Sequence, residues 1–328
     1  MRSLPQRLFG PTGEVSVLSL GGGGIGQVWG ATSRKESVAT VVEALDHGIT
    51  LLDLAPGYGD GEAEAVVGEA LVGTVPSGIA ITTKYRVGNP KPGVARAAIE
   101  QSLDASLRRM RVTRVDLMFL HNMIIPDEAV GDLPGTPVSL FRDEVRPAFE
   151  SLVADGRIGA WGLTGIGVPE TLISVLAETP RPGAIQAITN LLDSPGGLKR
   201  SPGPASPRAI IAAANRNGVA VMGIRALQAG ALTASFDRAI DSTSAEATDF
   251  ARAAPVRELA RELGLSMSTL ALRYALSMRG VSTVILGVKN RAELRQSIDA
   301  AHAEPLDADL IAQIDRLSGL AQESEGAR

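Results

Sequence analysis

Asp53, Tyr58, Lys84 and His121 stand at or just beyond the ends of three short apolar runs. The run 51–53 closes on the aspartate and is followed by Leu-Ala-Pro-Gly-Tyr-Gly. The run 80–84 closes on the lysine, and 115–121 on the histidine. A tyrosine, with an ordinary pKa of about 10, is a poor acid near neutrality unless a cation steadies its phenolate. Lys84 is such a cation. A buried ammonium needs an anionic partner in turn, and Asp53 at a neighbouring run is placed to be one. His121 can hold a substrate oxygen by a hydrogen bond or share in the proton transfer. Together the four can protonate a carbonyl oxygen while electrons reach its carbon from elsewhere. The chain has no cysteine and shows no flavin motif or metal-ligand spacing, so a nicotinamide hydride is the expected donor.

Four proton-handling groups at three strand ends require a sheet that presents those ends on one face. Apolar runs at 15–20, 50–54, 79–83, 115–120, 160–163, 184–188, 219–224 and 283–286 read as strands. Amphipathic stretches at 33–47, 94–110, 140–155, 169–178, 207–217 and 291–301 read as helices, with Gly48 and Gly218 where C-caps belong. Alternation of this kind predicts an α/β fold, a single-domain (β/α)8 TIM barrel over residues 1–328, with a lead-in at 1–14 and a polar tail at 319–328. Long connections after His121, at 193–207, and from Gln228 through 233–254 follow strands. They are expected at the C-terminal face around a lidded mouth.

Residues 21–26 match G-x-G-x-x-G after a strand, with Glu43 and Asp46 where a dinucleotide fold keeps its ribose-binding acid. Five glycines in so short a run match almost any spacing. The next helix also begins near Ser33, too late for its N-terminus to hold a pyrophosphate. The glycines fit a barrel loop that lets a flat ligand approach the backbone.

The remaining composition narrows the class. A net charge of -4 offers no broad basic surface, so nucleic acid is not an expected partner. No apolar run approaches the length that spans a bilayer, and 1–13 lacks a signal-peptide core; a cytoplasmic protein without membrane partners is expected. His47 falls at a helix C-terminus, where it complements the dipole, and His302 in the polar tail of a late helix. Both read as structural, and no H-x-x-x-H spacing marks a metal site.

The residues above resemble those of the aldo-keto reductases. Asp53, Ala55, Tyr58 and Gly59 match that family's Asp-x-Ala-x-x-Tyr-Gly, Lys84 its lysine, and 115–121 its strand ending in histidine, within a likeness running from about Leu8 to Ala301. The resemblance implies a barrel that binds NADP(H) without a Rossmann domain and reduces aldehydes or ketones, with Tyr58 as general acid. It assigns Gly22, Gly23, Asp53, Thr164, Gln186, Ile224, Arg225 and Leu227 to the cofactor, Thr164 and Gln186 toward the carboxamide. Ile224 stands where many members stack an aromatic ring. Arg225 replaces a serine, and would meet the pyrophosphate, an anionic substrate or a salt-bridge partner. Gly287, Lys289 and Arg291 fall where the 2′-phosphate is held, and Gln296 and Ser297 at the adenine. Lys289 and Arg291 favour NADP(H), while Glu293 weakens that preference and leaves NAD(H) open.

For the substrate, Arg86 and Asn122 occupy positions that are often tryptophan in mammalian-type members, with Trp29, Met123 and Ile124 left as apolar walls. With 3% aromatic residues, the expected pocket is polar and suits a small-molecule carbonyl such as a sugar, a pyridoxal-like aldehyde or a keto acid. The alternatives are a nucleotide-binding regulatory subunit with negligible turnover, a Schiff-base lyase using Lys84, and a glycosidase-type carboxylate pair.

Overall fold

Eight parallel strands close on themselves in chain order: β1 Leu18–Gly21, β2 Leu51–Asp53, β3 Ala80–Tyr85, β4 Val115–Leu120, β5 Ile158–Gly165, β6 Ala184–Ile188, β7 Ala220–Ile224 and β8 Thr283–Leu286. The computed structural model describes residues 3–320. Side chains alternate across each strand. Leu52, Ile81, Met118, Leu120, Leu163, Ile185, Val221 and Val284 face outward into the large core beneath the helices. Leu51, Ala80, Leu117, Phe119, Ala184 and Met222 form a separate buried cluster inside the barrel. Asp53 lies two residues after Leu51, Lys84 four after Ala80, and His121 two after Phe119. The pleat that buries the apolar residue therefore aims the polar one into the same interior, nearer the C-terminal mouth.

The helices around this barrel are α1 Arg34–Asp46, α2 Glu62–Ala70, α3 Ala95–Met110, α4 Arg146–Ala154, α5 Pro169–Ala177, α6 Pro207–Arg216, α7 Met267–Ser277 and α8 Arg291–His302. Ser33, Ser266 and Asn290 cap α1, α7 and α8 by accepting main-chain N–H bonds. Gly48 and Gly218 follow α1 and α6 at φ +84° and +70°, as C-cap glycines do. A π-helical turn, Phe141–Val145, leads into α4; Pro147, which has no N–H to give, lies just beyond it.

Several expectations change. The strand expected at 15–20 is two, divided at Val17. The Ser16 hydroxyl donates to Leu18 O at 2.6 Å and its N–H to Thr50 Oγ1 at 2.8 Å, turning the chain from one sheet into the other. The 1–14 lead-in contains most of an antiparallel hairpin, Gln6–Phe9 with Gly13–Ser16, whose Phe9 and Val15 plug the N-terminal end of the barrel. The six expected helices omitted α2 and α7. Three further helices, Ala245–Arg252, Ala254–Glu262 and Ala308–Leu317, were not anticipated, and the first lies inside the connection expected as a loop at 233–254. Of the polar tail, 321–328 lie outside the described residues.

Candidate active site

The mouth of the barrel brings the four leading residues together. Lys84 is fully buried, and its Nζ donates to Asp53 Oδ2 at 2.7 Å, to Leu54 O at 2.8 Å and to Tyr58 Oη at 3.2 Å. All three ammonium donors are thereby used. Tyr58 reaches this position from the turn after β2, closed by Tyr58 N–H to Ala55 O. Gly22 leaves room for it: a Cβ there would stand 2.9 Å from Tyr58 Cδ2. The Tyr58 and His121 rings meet edge to face, 5.7 Å apart at 89°. Two residues hold Asp53 from its other oxygen, Thr82 Oγ1 at 2.8 Å and Gln186 Nε2 at 2.6 Å.

Burial and neighbouring charge set the protonation states. Burial pushes the Tyr58 hydroxyl above its ordinary value, an effect that Lys84 partly offsets. Burial alone would lower Lys84, but Asp53 and then Tyr58 outweigh it and hold the ammonium charged. Burial, then Lys84, then Arg86 drive His121 well below the ordinary 6.5. At neutral pH the site thus holds a protonated phenol, an ammonium beneath it and a neutral imidazole beside it. This is the arrangement of a general acid whose conjugate base is stabilised only as it forms.

The other expected site residues divide. Gln186, assigned to a carboxamide, spends its amide nitrogen on Asp53; Thr164 Oγ1 donates to Leu120 O at 2.9 Å and keeps its acceptor capacity. Arg225, at φ +60°, donates to Gln228 Oε1 and Glu246 Oε1, both at 2.7 Å, and Glu246 Oε1 also accepts Gly197 N–H at 3.0 Å. Among the roles open to Arg225, the structure shows the salt bridge. Ile224 and Leu227 flank it, half-buried. Lys289 pairs with Asp237 and Glu293, and Arg291 with Glu36. Ser297 Oγ turns back to Glu293 O at 2.9 Å, while Gln296 is exposed.

Of the expected pocket residues, Arg86 is exposed at the mouth, close enough to act on both Tyr58 and His121. Trp29 lies over Gly23 and Gly287, its Nε1 2.5 Å and 3.2 Å from where their Cβ atoms would be. It spans the loops after β1 and β8. Asn122 instead knits loops together, donating to Met123 O and Thr136 Oγ1 and accepting Gly88 N–H. Met123 is buried, packed against Gly167.

Four contributors escaped the sequence reading: Thr82, Glu36, Asp237 and Glu246. Thr82 carried a signal, since it lies two residues before Lys84 and so on the same face of β3. The three acids come from distant helices or loops and carried none. Among the described residues, no group of three or more His, Asp or Glu side chains is arranged to hold a metal ion, and no helix is long and apolar enough to cross a membrane.

The chain matches the model of the Aldo/keto reductase family over residues 17–318. It is 26% identical to an L-galactose dehydrogenase of Arabidopsis thaliana over 92% of its own length and 89% of that protein's. It is 31% identical to a methylglyoxal reductase of Escherichia coli over 50% of its length and 51% of the other's. Among solved structures, an aldo-keto reductase from Klebsiella pneumoniae in complex with NADPH superposes with a TM-score of 0.69 at 22% identity, covering 97% of this chain and 96% of that one.

Proposed function

The chain belongs to the aldo/keto reductase family, and on that premise we propose that it reduces a small, polar aldehyde or ketone with a nicotinamide nucleotide, NADP(H) being the form the resemblance implies. The observation that carries this reading is the Lys84 ammonium, fixed by Asp53 and lying 3.2 Å from the Tyr58 hydroxyl.

The residues present fit a nicotinamide nucleotide. Gly22 and Gly23, in a helical turn packed beside Tyr58 and Trp29, would let a flat ligand come close to the backbone. The N-terminus of α8, with Lys289 and Arg291, carries the donors an anion takes, here engaged by Glu36, Glu293 and Asp237. Asp53, Thr164, Gln186, Ile224 and Leu227 would border the nicotinamide end, with Gly287, Gln296 and Ser297 at the adenosine end. When bound, the nucleotide supplies the hydride. Tyr58 gives its proton to the carbonyl oxygen, and Lys84 stabilises the phenolate that results. Neutral His121 orients the same oxygen by a hydrogen bond. Asp53 keeps Lys84 protonated throughout, helped by Thr82 and Gln186.

The geometry argues against a Schiff-base lyase, because a nucleophilic lysine must be a free amine and Lys84 is held as an ammonium by three acceptors. Asp53 is equally unsuited to a glycosidase pair while it is committed to Lys84. For the substrate, Arg86 at the mouth and the polar substrates named for the L-galactose and methylglyoxal relatives support a small polar carbonyl compound.

The test is carbonyl-dependent oxidation of NADPH, followed by absorbance over a panel of small aldehydes. Tyr58→Phe is expected to lower kcat by roughly 10²–10⁴-fold, the usual worth of a positioned acid, with nucleotide binding unchanged. Turnover that survives in the variant would refute the assignment of Tyr58.

A further inference from the structure

At the N-terminus of α8 the chain sets its own carboxylates on the two cations that a phosphate would use. Arg291 donates Nε to Glu36 Oε1 at 3.1 Å and Nη2 to Glu36 Oε2 at 2.9 Å. Its main-chain N–H also donates to Glu36 Oε1, at 3.0 Å. The Glu36 carboxylate therefore takes a bidentate guanidinium and a helix-terminal amide, which is the donor set an anion finds at such a site. Two residues earlier, Lys289 N–H donates to Glu293 Oε2 at 2.9 Å. The Lys289 ammonium lies 3.3 Å from Glu293 Oε1 and is paired with Asp237 from the connection after β7. Hydrogen bonds from Arg291 hold the Glu36 carboxyl below its ordinary range, and a hydrogen bond from Lys289 does the same for Asp237.

Two positive charges thus face three carboxylates. Phosphate sites in barrels of this kind form at the loops after strands seven and eight and the adjoining helix N-terminus, where Asp237, Lys289, Arg291 and Glu293 lie and which Glu36 reaches from the first turn of α1. A phosphate monoester carries about −1.5 to −2 charges at pH 7. To bind there it must expel Glu36 from Arg291 and remain beside two further acids. A ribose hydroxyl meets no such conflict, because it can donate a hydrogen bond to a carboxylate, as the 2′-OH of NAD does to the acidic residue of other dinucleotide sites.

We propose that Glu36, seconded by Asp237 and Glu293, determines nucleotide preference in this chain by occupying the phosphate donors, so that NAD(H) is bound within about tenfold of NADP(H). The proposal rests on the reading of the chain as a nicotinamide-nucleotide enzyme. Glu36→Gln tests it, since glutamine keeps an acceptor for Arg291 and its amide while removing the competing charge.

Dissociation constants for NADPH and NADH, measured by titration calorimetry on the wild type and on the Glu36→Gln and Glu293→Gln variants, read the effect without turnover. Far-ultraviolet circular dichroism confirms that each variant is folded. The expected result is a shift of the NADH-to-NADPH ratio toward NADPH of threefold or more in Glu36→Gln, and in the same direction in Glu293→Gln should the first variant fail to fold. A smaller shift, with both nucleotides still bound, overturns the proposal and leaves the enzymatic reading intact. Failure of the wild type to bind either nucleotide overturns both.

Discussion

His121 pays for its place beside Lys84 by staying neutral. In the unfolded chain it titrates near 6.5, but in the fold burial and the Lys84 and Arg86 charges hold it well below that value. Below pH 6.5 the unfolded chain therefore binds a proton that the folded chain refuses. Stability is lost at about 1.4 kcal/mol per pH unit until the folded value is reached, and is whole above pH 6.5. His121→Gln removes this slope. Urea unfolding at pH 7.5 and 5.5 is expected to show the variant losing less stability than the wild type on acidification; equal losses would mean that His121 titrates normally. The four central residues were legible in the sequence because their chemistry is declared by residue type and their common face by spacing within short strands. The fate of Arg225 was not, since its partner Glu246 stands in a helix 21 residues away, and nothing in the intervening composition pairs them.

At the scale of elements, Arg225 is a clasp. It joins the end of β7 to the helix Ala245–Arg252, and Glu246 carries the connection on to Gly197 in the loop after β6. Both loops border the mouth. Arg225→Met is expected to cost roughly 1.5–3 kcal/mol, the worth of charged hydrogen bonds. Amide exchange should accelerate in residues 196–198 and 245–252 while β3 and β4 stay protected. Uniform acceleration would show a global effect instead. Strands were readable here because each falls in a short apolar run; α2 and α7 were not, for different reasons. Helix α2 has only nine residues and a glycine within it. Gly68 is required by packing, since a Cβ would stand 2.4 Å from Arg109 O. Helix α7 is buried on several sides, with Met267, Leu270, Ala271 and Tyr274 in one cluster and Leu272 and Ala275 in another. Its polar face is too narrow to give a clear period.

Across the whole molecule, chemistry and closure occupy opposite ends. The hairpin plug touches none of the proton-handling residues, yet Phe9 is fully buried against the interior cluster. Phe9→Ala is expected to destabilise the protein by about 3–5 kcal/mol while leaving kcat at 25 °C unchanged in the folded fraction, a separation that calorimetry and initial rates will check. A parallel fall in kcat would show the two ends to be coupled. The barrel itself was legible from the alternation of elements. The plug was hidden because a hairpin against a barrel end obeys no period in the strands that it covers.

That plug is also tied to the far end of the chain. Arg7 donates to Val281 O, 274 residues later, and to Leu276 O, both at 2.8 Å, and β1 pairs with β8 as well as with β2. On a ribosome adding about 5–20 residues per second, the first strand emerges tens of seconds before its second neighbour exists. The first strand of the ring is therefore among the last to be fully paired, and ring closure waits on translation of β8.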